Sequence, residues 1–194
     1  MVRQSPEGGR PRGAGRAPRP LDAARLEELA LAYVARFATS RAKLEAYLAR
    51  KLRERGWDGE GEAPVAALAA RFVAAGYVDD AAFARAKAGS LLRRGYGQRR
   101  VIQALGAAGI DEDVRAQVRA GEHERRLAAL TMARKRRLGP FGPQPAGRAA
   151  REKQVAAMLR AGHALDSARE LVDAASVEAA EDWAAQAAED DGCG

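Results

Sequence analysis

The chain has 194 residues, a formal net charge of +7, 47% hydrophobic residues and only 5% aromatic ones, which suits one medium domain or a row of small units with thin, alanine-rich cores. A single cysteine, Cys193, excludes an internal disulfide. No apolar run reaches the ~18 residues of a membrane span, and the segment Val65 to Val78 is broken by Arg71, so a reducing, cytoplasmic setting is expected.

Residues 1–20 carry Arg3, Arg10, Arg12, Arg16 and Arg19 among prolines and glycines. Such a segment cannot bury a core and reads as a disordered basic arm, either for a polyanion or inert. From there the pattern is helical. Leu26, Leu29, Ala30, Tyr33 and Phe37 recur at steps of three and four, as do Leu44, Tyr47, Leu48 and Leu52, and then Val65, Leu68, Ala69, Phe72 and Val73. Thr39 or Ser40 can cap the second helix, and Pro64 fits the first turn of the third after a loop from Gly56. Asp79 can accept hydrogen bonds from the free amides of the next helix, with Val78 and Phe83 at the spacing of a hydrophobic staple. That helix runs to about Arg93, Gly95-Tyr96-Gly97 turns the chain, and a helix with Val101, Ile102 and Leu105 inward ends at Gly109. Asp111 then caps a short helix carrying Val114 and Val118. A basic helix spans about Glu122 to Leu138, followed by a Gly/Pro loop over 139–147. A helix with Val155, Met158 and Leu159 turns at Gly162 into one with Ala168, Leu171, Val172 and Ala175, capped by Asp166. From Ser176 on there are Glu178, Glu181, Asp182, Glu189, Asp190 and Asp191 and no Lys or Arg, which reads as a solvated acidic tail or as a polyanion mimic that covers the basic surface.

The middle helices 40–55, 97–108 and 148–161 recur about every 50–57 residues, so the expected fold is all-α, three tandem three-helix repeats in an elongated array. The expected division is 1–20 arm, 21–76, 77–120 and 121–175 repeats, and 176–194 tail.

Catalytic chemistry finds little support. His123 and His163 lie in different units, no Cys/His cluster suits zinc, and no phosphate loop of the Gly-x-x-x-x-Gly-Lys type occurs. Asp79 and Asp80 are adjacent at a helix start and point in different directions, so capping explains them better than acid or metal chemistry. No enzyme activity, cofactor or metal is expected. Basic clusters are the better signal. Arg93 and Arg94 end one helix and Arg99 and Arg100 begin the next, with Gln103 on the same outer face. The first unit offers Lys43, Arg50 and Arg53 opposite its apolar stripe, and the third offers Arg134, Lys135, Arg136 and Arg137. Each cluster alone can be a solvated face or a complement to a helix dipole. Three at similar places make an elongated surface for an elongated polyanion or filament. A helical DNA-binding protein or transcription regulator that acts on duplex DNA alone is the alternative, and sequence-specific duplex binding would mark it.

The segment Gly76-Tyr77-Val78-Asp79-Asp80-Ala81-Ala82-Phe83-Ala84 resembles the GY-x-DD-x-x-FA signature of the RecX family of recombinase regulators. The likeness continues through Arg94-Gly95-Tyr96-Gly97, Arg99-Arg100-Val101-Ile102 and Leu105 to Gly109-Ile110. In the first unit it includes Arg36, Ser40, Leu44 and Leu48, and in the third, more loosely, Lys135-Arg136-Arg137-Leu138-Gly139. Ala161 and His163 stand where the family usually has an arginine and an aromatic residue. The resemblance implies structural roles for Gly76, Tyr77, Asp79, Asp80, Phe83, Gly95, Gly97 and Gly109. It also implies that the elongated array is curved, a monomer that binds the RecA filament on single-stranded DNA, with duplex DNA a further ligand and no membrane partner, and that inhibits ATP hydrolysis and strand exchange in homologous recombination and DNA repair.

Overall fold

A computed structural model describes residues 19–143 and 147–191, with backbone alone from 188 on. The arm expected over 1–20 lies almost wholly outside these residues, as does Cys193. Ten helices form in chain order among the described residues: α1 (Ala23–Arg36), α2 (Arg41–Arg55), α3 (Val65–Ala74), α4 (Asp80–Arg93), α5 (Gln98–Gly106), α6 (Glu112–Gln117), α7 (Glu122–Arg136), α8 (Arg148–Arg160), α9 (Leu165–Asp173) and α10 (Val177–Asp191). A single 3-10 turn (Gly139–Phe141) follows α7, and an isolated bridge joins Leu21 to Trp57. The fold is all-α, and no described helix is long and apolar enough to cross a membrane.

Helix starts follow the short polar side chains. Asp22 accepts from the Arg25 amide at 2.9 Å, Ser40 from Lys43 at 3.3 Å and Asp79 from Ala82 at 2.8 Å, each satisfying an amide with no partner inside its helix. Two expected caps are not made. Asp111 sits at the N-cap of α6 without a side-chain bond. The N-cap of α9 is Ala164, which places Asp166 inside the first turn, where its charge still complements the dipole. Pro64 stands one residue before α3 rather than in its first turn.

Three apolar cores follow one another along the chain. The first gathers Leu26, Ala30, Leu44, Leu48, Leu68 and Phe72, closed by Leu21, whose backbone bonds to Gly56 and Asp58 strap the N-terminal strand of chain across the end of α2. The second holds Ala84, Leu91, Val101, Leu105 and Ile110, and the third Leu130, Met132, Val155, Met158, Leu171 and Val172. α7 is shared: Ala128 faces the second core and Ala129 the third. Val78 packs in the first core and Phe83 against the second, so this pair bridges two cores instead of stapling one helix. Phe37 and Val73, at helical spacing with core residues, are 53% and 41% exposed. Phe37 is the C-cap of α1, where the chain has already left helical geometry and the ring turns outward.

The acidic C-terminus differs most from expectation. Residues 177–191 are a helix packed on α7, not a solvated tail. Ala180, Ala184 and Ala187 are buried and Trp183 packs on the third core, a 3–4 stripe of small residues obscured by the surrounding carboxylates.

The three cores are joined through their middle helices, placed end to start. The Gly97 amide donates to Ala161 O at 3.0 Å and the Arg99 amide to Gly162 O at 3.2 Å, so α5 begins where α8 ends. One repeat earlier, Ser40 Oγ donates to Ala108 O at 2.6 Å, so α2 begins where α5 ends. Glycine permits both approaches. A Cβ at Gly97 would collide with the backbone of Gly162 and His163, and one at Gly109 with Ala42. Gly97→Ala is therefore expected to lower the unfolding free energy by about 1–3 kcal/mol, since backbone cannot move aside. Gly106→Ala, a helical position whose Cβ would meet only the Arg115 guanidinium, at 3.4 Å, is expected to be neutral or to stabilise by up to about 1 kcal/mol. Urea unfolding of both variants checks the pair.

Candidate nucleic-acid interface

All twelve polar residues expected to form the binding surface are exposed, but the fold sorts them into distinct groups. Arg99 and Arg100 occupy the first turn of α5. Because that turn rests on the end of α8, they meet Arg160 across the junction, and together with Gln103, Leu159 and Gly162 they line a groove of about 320 Å³. Arg100 donates to Gln103 Oε1 at 2.6 Å, which holds its guanidinium along the groove. None of these three arginines has a carboxylate partner within 4 Å among the described residues. Arg160 is missing from the sequence-derived set because its neighbours in the groove lie some sixty residues away along the chain.

Arg93 and Arg94 do not join this groove. Arg94 bonds to Ser90 O at 3.3 Å and lies over the Tyr96 ring at 5.6 Å, while Arg93 lines a separate groove between α4 and α7 with Leu92, Glu124 and Leu127. The turn at Gly95 thus divides the four guanidinium groups rather than gathering them. Arg94 is instead brought to the third unit: Lys135 Nζ donates to Arg94 O at 3.2 Å. Arg134 is partly spent, paired with Glu181 of α10 and stacked over Phe141. Arg136 ends α7, and Arg137 adopts a left-handed conformation (φ 54°) that closes it. In the first unit Lys43 lies over the Phe83 ring at 5.3 Å, Arg50 pairs with Glu54 at 3.6 Å, and Arg53 stands exposed in the last turn of α2.

The first turns of α2, α5 and α8 share one property. Each contains cations and no acid: Arg41 and Lys43, Arg99 and Arg100, Arg148 and Arg151. A cation at the positive end of a helix dipole is unfavourable by roughly 0.3–1 kcal/mol. Helices α4, α6, α7, α9 and α10 carry acids there instead, and in α1 the first-turn Arg25 is paired with the N-cap Asp22 at 3.3 Å. At α2 the excess of positive charge is offset, since Asp80 accepts the Arg41 amide and Glu45 pairs with Arg41 at 2.9 Å, and at α8 Arg151 lies 4.0 Å from Asp173, so α5 alone of the three has neither of its two cations paired with a carboxylate among the described residues.

The motif residues hold this geometry. Asp79 caps its own helix, while Asp80 accepts the Arg41 amide at 2.8 Å and so caps α2 of the preceding unit. Both carboxylates are committed to amides, and no group of three or more metal-binding side chains gathers among the described residues. Gly95 (φ 88°) lies against the backbone of Met132, and Gly76 (φ 76°) turns the chain from α3 toward α4. Tyr77 is 59% exposed and tilted against Phe72. His163 is buried, and its Nε2–H donates to Gly95 O at 3.0 Å. Burial pushes its pKa below the ordinary value, only partly opposed by that bond.

Comparison with known proteins places this architecture. Residues 79–118 match the family model described as the second three-helix domain of RecX. The chain is 36% identical over 181 residues to the regulatory protein RecX of Myxococcus xanthus (strain DK1622), covering 89% of this chain and 96% of that one. It is 35% identical over 152 residues to the protein of the same name from Mycobacterium sp. (strain KMS), covering 75% of this chain and 81% of that one. The crystal structure of RecX from Lactobacillus salivarius is similar with a TM-score of 0.61 at 15% identity, over 77% of this chain and 94% of that one, a likeness of fold.

His163 makes the junction between the second and third units sensitive to pH. Its folded pKa lies below the unfolded value of 6.5, so its contribution is complete above that pH and is lost as pH falls toward the folded pKa. Urea unfolding at pH about 7.5 and about 5.5 should show a loss of stability in the native chain that is smaller in His163→Phe.

Proposed function

The chain belongs to the RecX family, and on that premise we propose that it regulates homologous recombination and DNA repair by binding the RecA filament on single-stranded DNA and inhibiting its ATP hydrolysis and strand exchange. It acts by binding and not by catalysis, as a cytoplasmic monomer built from the units 21–76, 77–120 and 121–175, with α10 added to the last. The observation that carries this reading is the groove where Arg99, Arg100 and Arg160 from two units converge without carboxylate partners among the described residues. Guanidinium groups in a fixed fork suit phosphate or carboxylate oxygens. A recombinase filament supplies both, in a repeating array that a repeated surface can follow. Arg93, Lys135, Arg136 and Arg137 extend the surface along α4 and α7, and Lys43, Arg50 and Arg53 along α2.

Full-length protein at micromolar concentration should inhibit DNA-dependent ATP hydrolysis by RecA. The variant Arg99→Ala, Arg100→Ala, Arg160→Ala should need on the order of ten times more protein and show a flatter salt dependence. Failure of the native chain to bind the filament or slow hydrolysis would overturn the proposal. Footprinting of a defined duplex site without recombinase would favour a DNA-binding regulator instead.

A further inference from the structure

The first unit carries a run of aromatic rings that the arginine groove does not use. Tyr33 of α1 stacks on Tyr47 of α2, with centroids 4.2 Å apart and 12° between planes. Phe37 lies 5.4 Å from Tyr33, tilted by 48°. Cations interleave with the rings. Arg36 lies over Phe37 at 5.7 Å, and Arg50 and Lys51 lie over Tyr47 at 5.6 and 5.9 Å. Glu54 pairs with Arg50 and Lys51, whereas Arg36 has no carboxylate within 4 Å among the described residues.

The rings differ in what the fold asks of them. Tyr33 and Tyr47 are half-buried against the first core. Phe37 is 53% exposed and lies outside that core, so one side of the ring faces water. An apolar protein segment laid on it would have to strip water from the surrounding cations, which is costly without matched partners. A single-stranded nucleic acid avoids that cost, because an unpaired base offers a flat π-face to the ring and its flanking phosphates meet the cations. Duplex bases are already stacked and cannot reach the ring.

We propose that Phe37, backed by the stacked Tyr33 and Tyr47 and flanked by Arg36, with Arg50 over Tyr47, is a stacking site for an unpaired base of single-stranded nucleic acid. The inference rests on reading the basic surface as one that meets nucleic acid, and the test separates the two. Two labelled probes of equal length are titrated by fluorescence anisotropy: oligo-dT of about 20 nucleotides, and an abasic strand with the same phosphates and no bases. Phe37→Ala should weaken oligo-dT binding on the order of tenfold and leave the abasic probe unchanged, because stacking needs a base and phosphate contacts do not. Phe37→Trp should restore oligo-dT binding. Equal oligo-dT affinity for Phe37→Ala and the native chain would overturn the stacking site, as would an equal loss on both probes. The variant Arg99→Ala, Arg100→Ala, Arg160→Ala should lose both probes. If it binds both as the native chain does, the arginine surface fails as a nucleic-acid contact whatever Phe37 does, and if the native chain binds neither probe, both readings fall.

Discussion

The end-to-start docking of the middle helices is the contact on which the rest of the molecule depends. A helix ends with carbonyls that lack partners and begins with amides in the same condition. Here the end of α8 meets the start of α5, and the end of α5 meets the start of α2. Each junction satisfies groups that would otherwise cost about 1–3 kcal/mol apiece if buried unpaired. The close approach depends on glycine. Gly97 and Gly162 face each other backbone to backbone, and Gly109 leaves room for Ala42. Thin alanine-rich cores could not by themselves set the spacing of three small units. Hydrogen bonds through the junctions do so with directional precision.

That docking also determines where charge is presented. It brings Arg160 to Arg99 and Arg100 at the start of α5. Asp80 links the two effects. By accepting the Arg41 amide it completes the start of α2 and, with Glu45 on the Arg41 guanidinium, offsets part of that turn's positive charge. The acidic α10 acts oppositely on the third unit, where Glu181 takes Arg134 and the Trp183 carbonyl takes Arg126. The basic surface is therefore uneven, with its least compensated part at the junction between the second and third units.

Much of the local structure was legible in the sequence. Apolar steps of three and four marked the helices, and Ser40 and Asp79 marked the caps, because helix periodicity and capping involve residues close together in the chain. What was hidden depends on distance along it. The partner of Ser40 lies 68 residues away and that of Asp80 39 residues away, and nothing local announces Arg160 as a neighbour of Arg99. α10 was obscured because its alanine stripe is short of hydrophobic weight and rich in acidic neighbours. Phe37 keeps helical spacing with the core, and only the departure of the chain at the C-cap of α1 turns it outward. His163 had no readable role until the junction placed it under Gly95.

The central claim is that the surface built on the middle helices faces the recombinase filament. Hydrogen–deuterium exchange of the full chain, alone and on RecA bound to single-stranded DNA, tests it most directly. The account predicts slowed exchange in residues 41–53, 98–103 and 148–160, strongest around the junction of α5 with α8. Protection confined to residues 1–20 or to α10, with the middle helices unchanged, would contradict it.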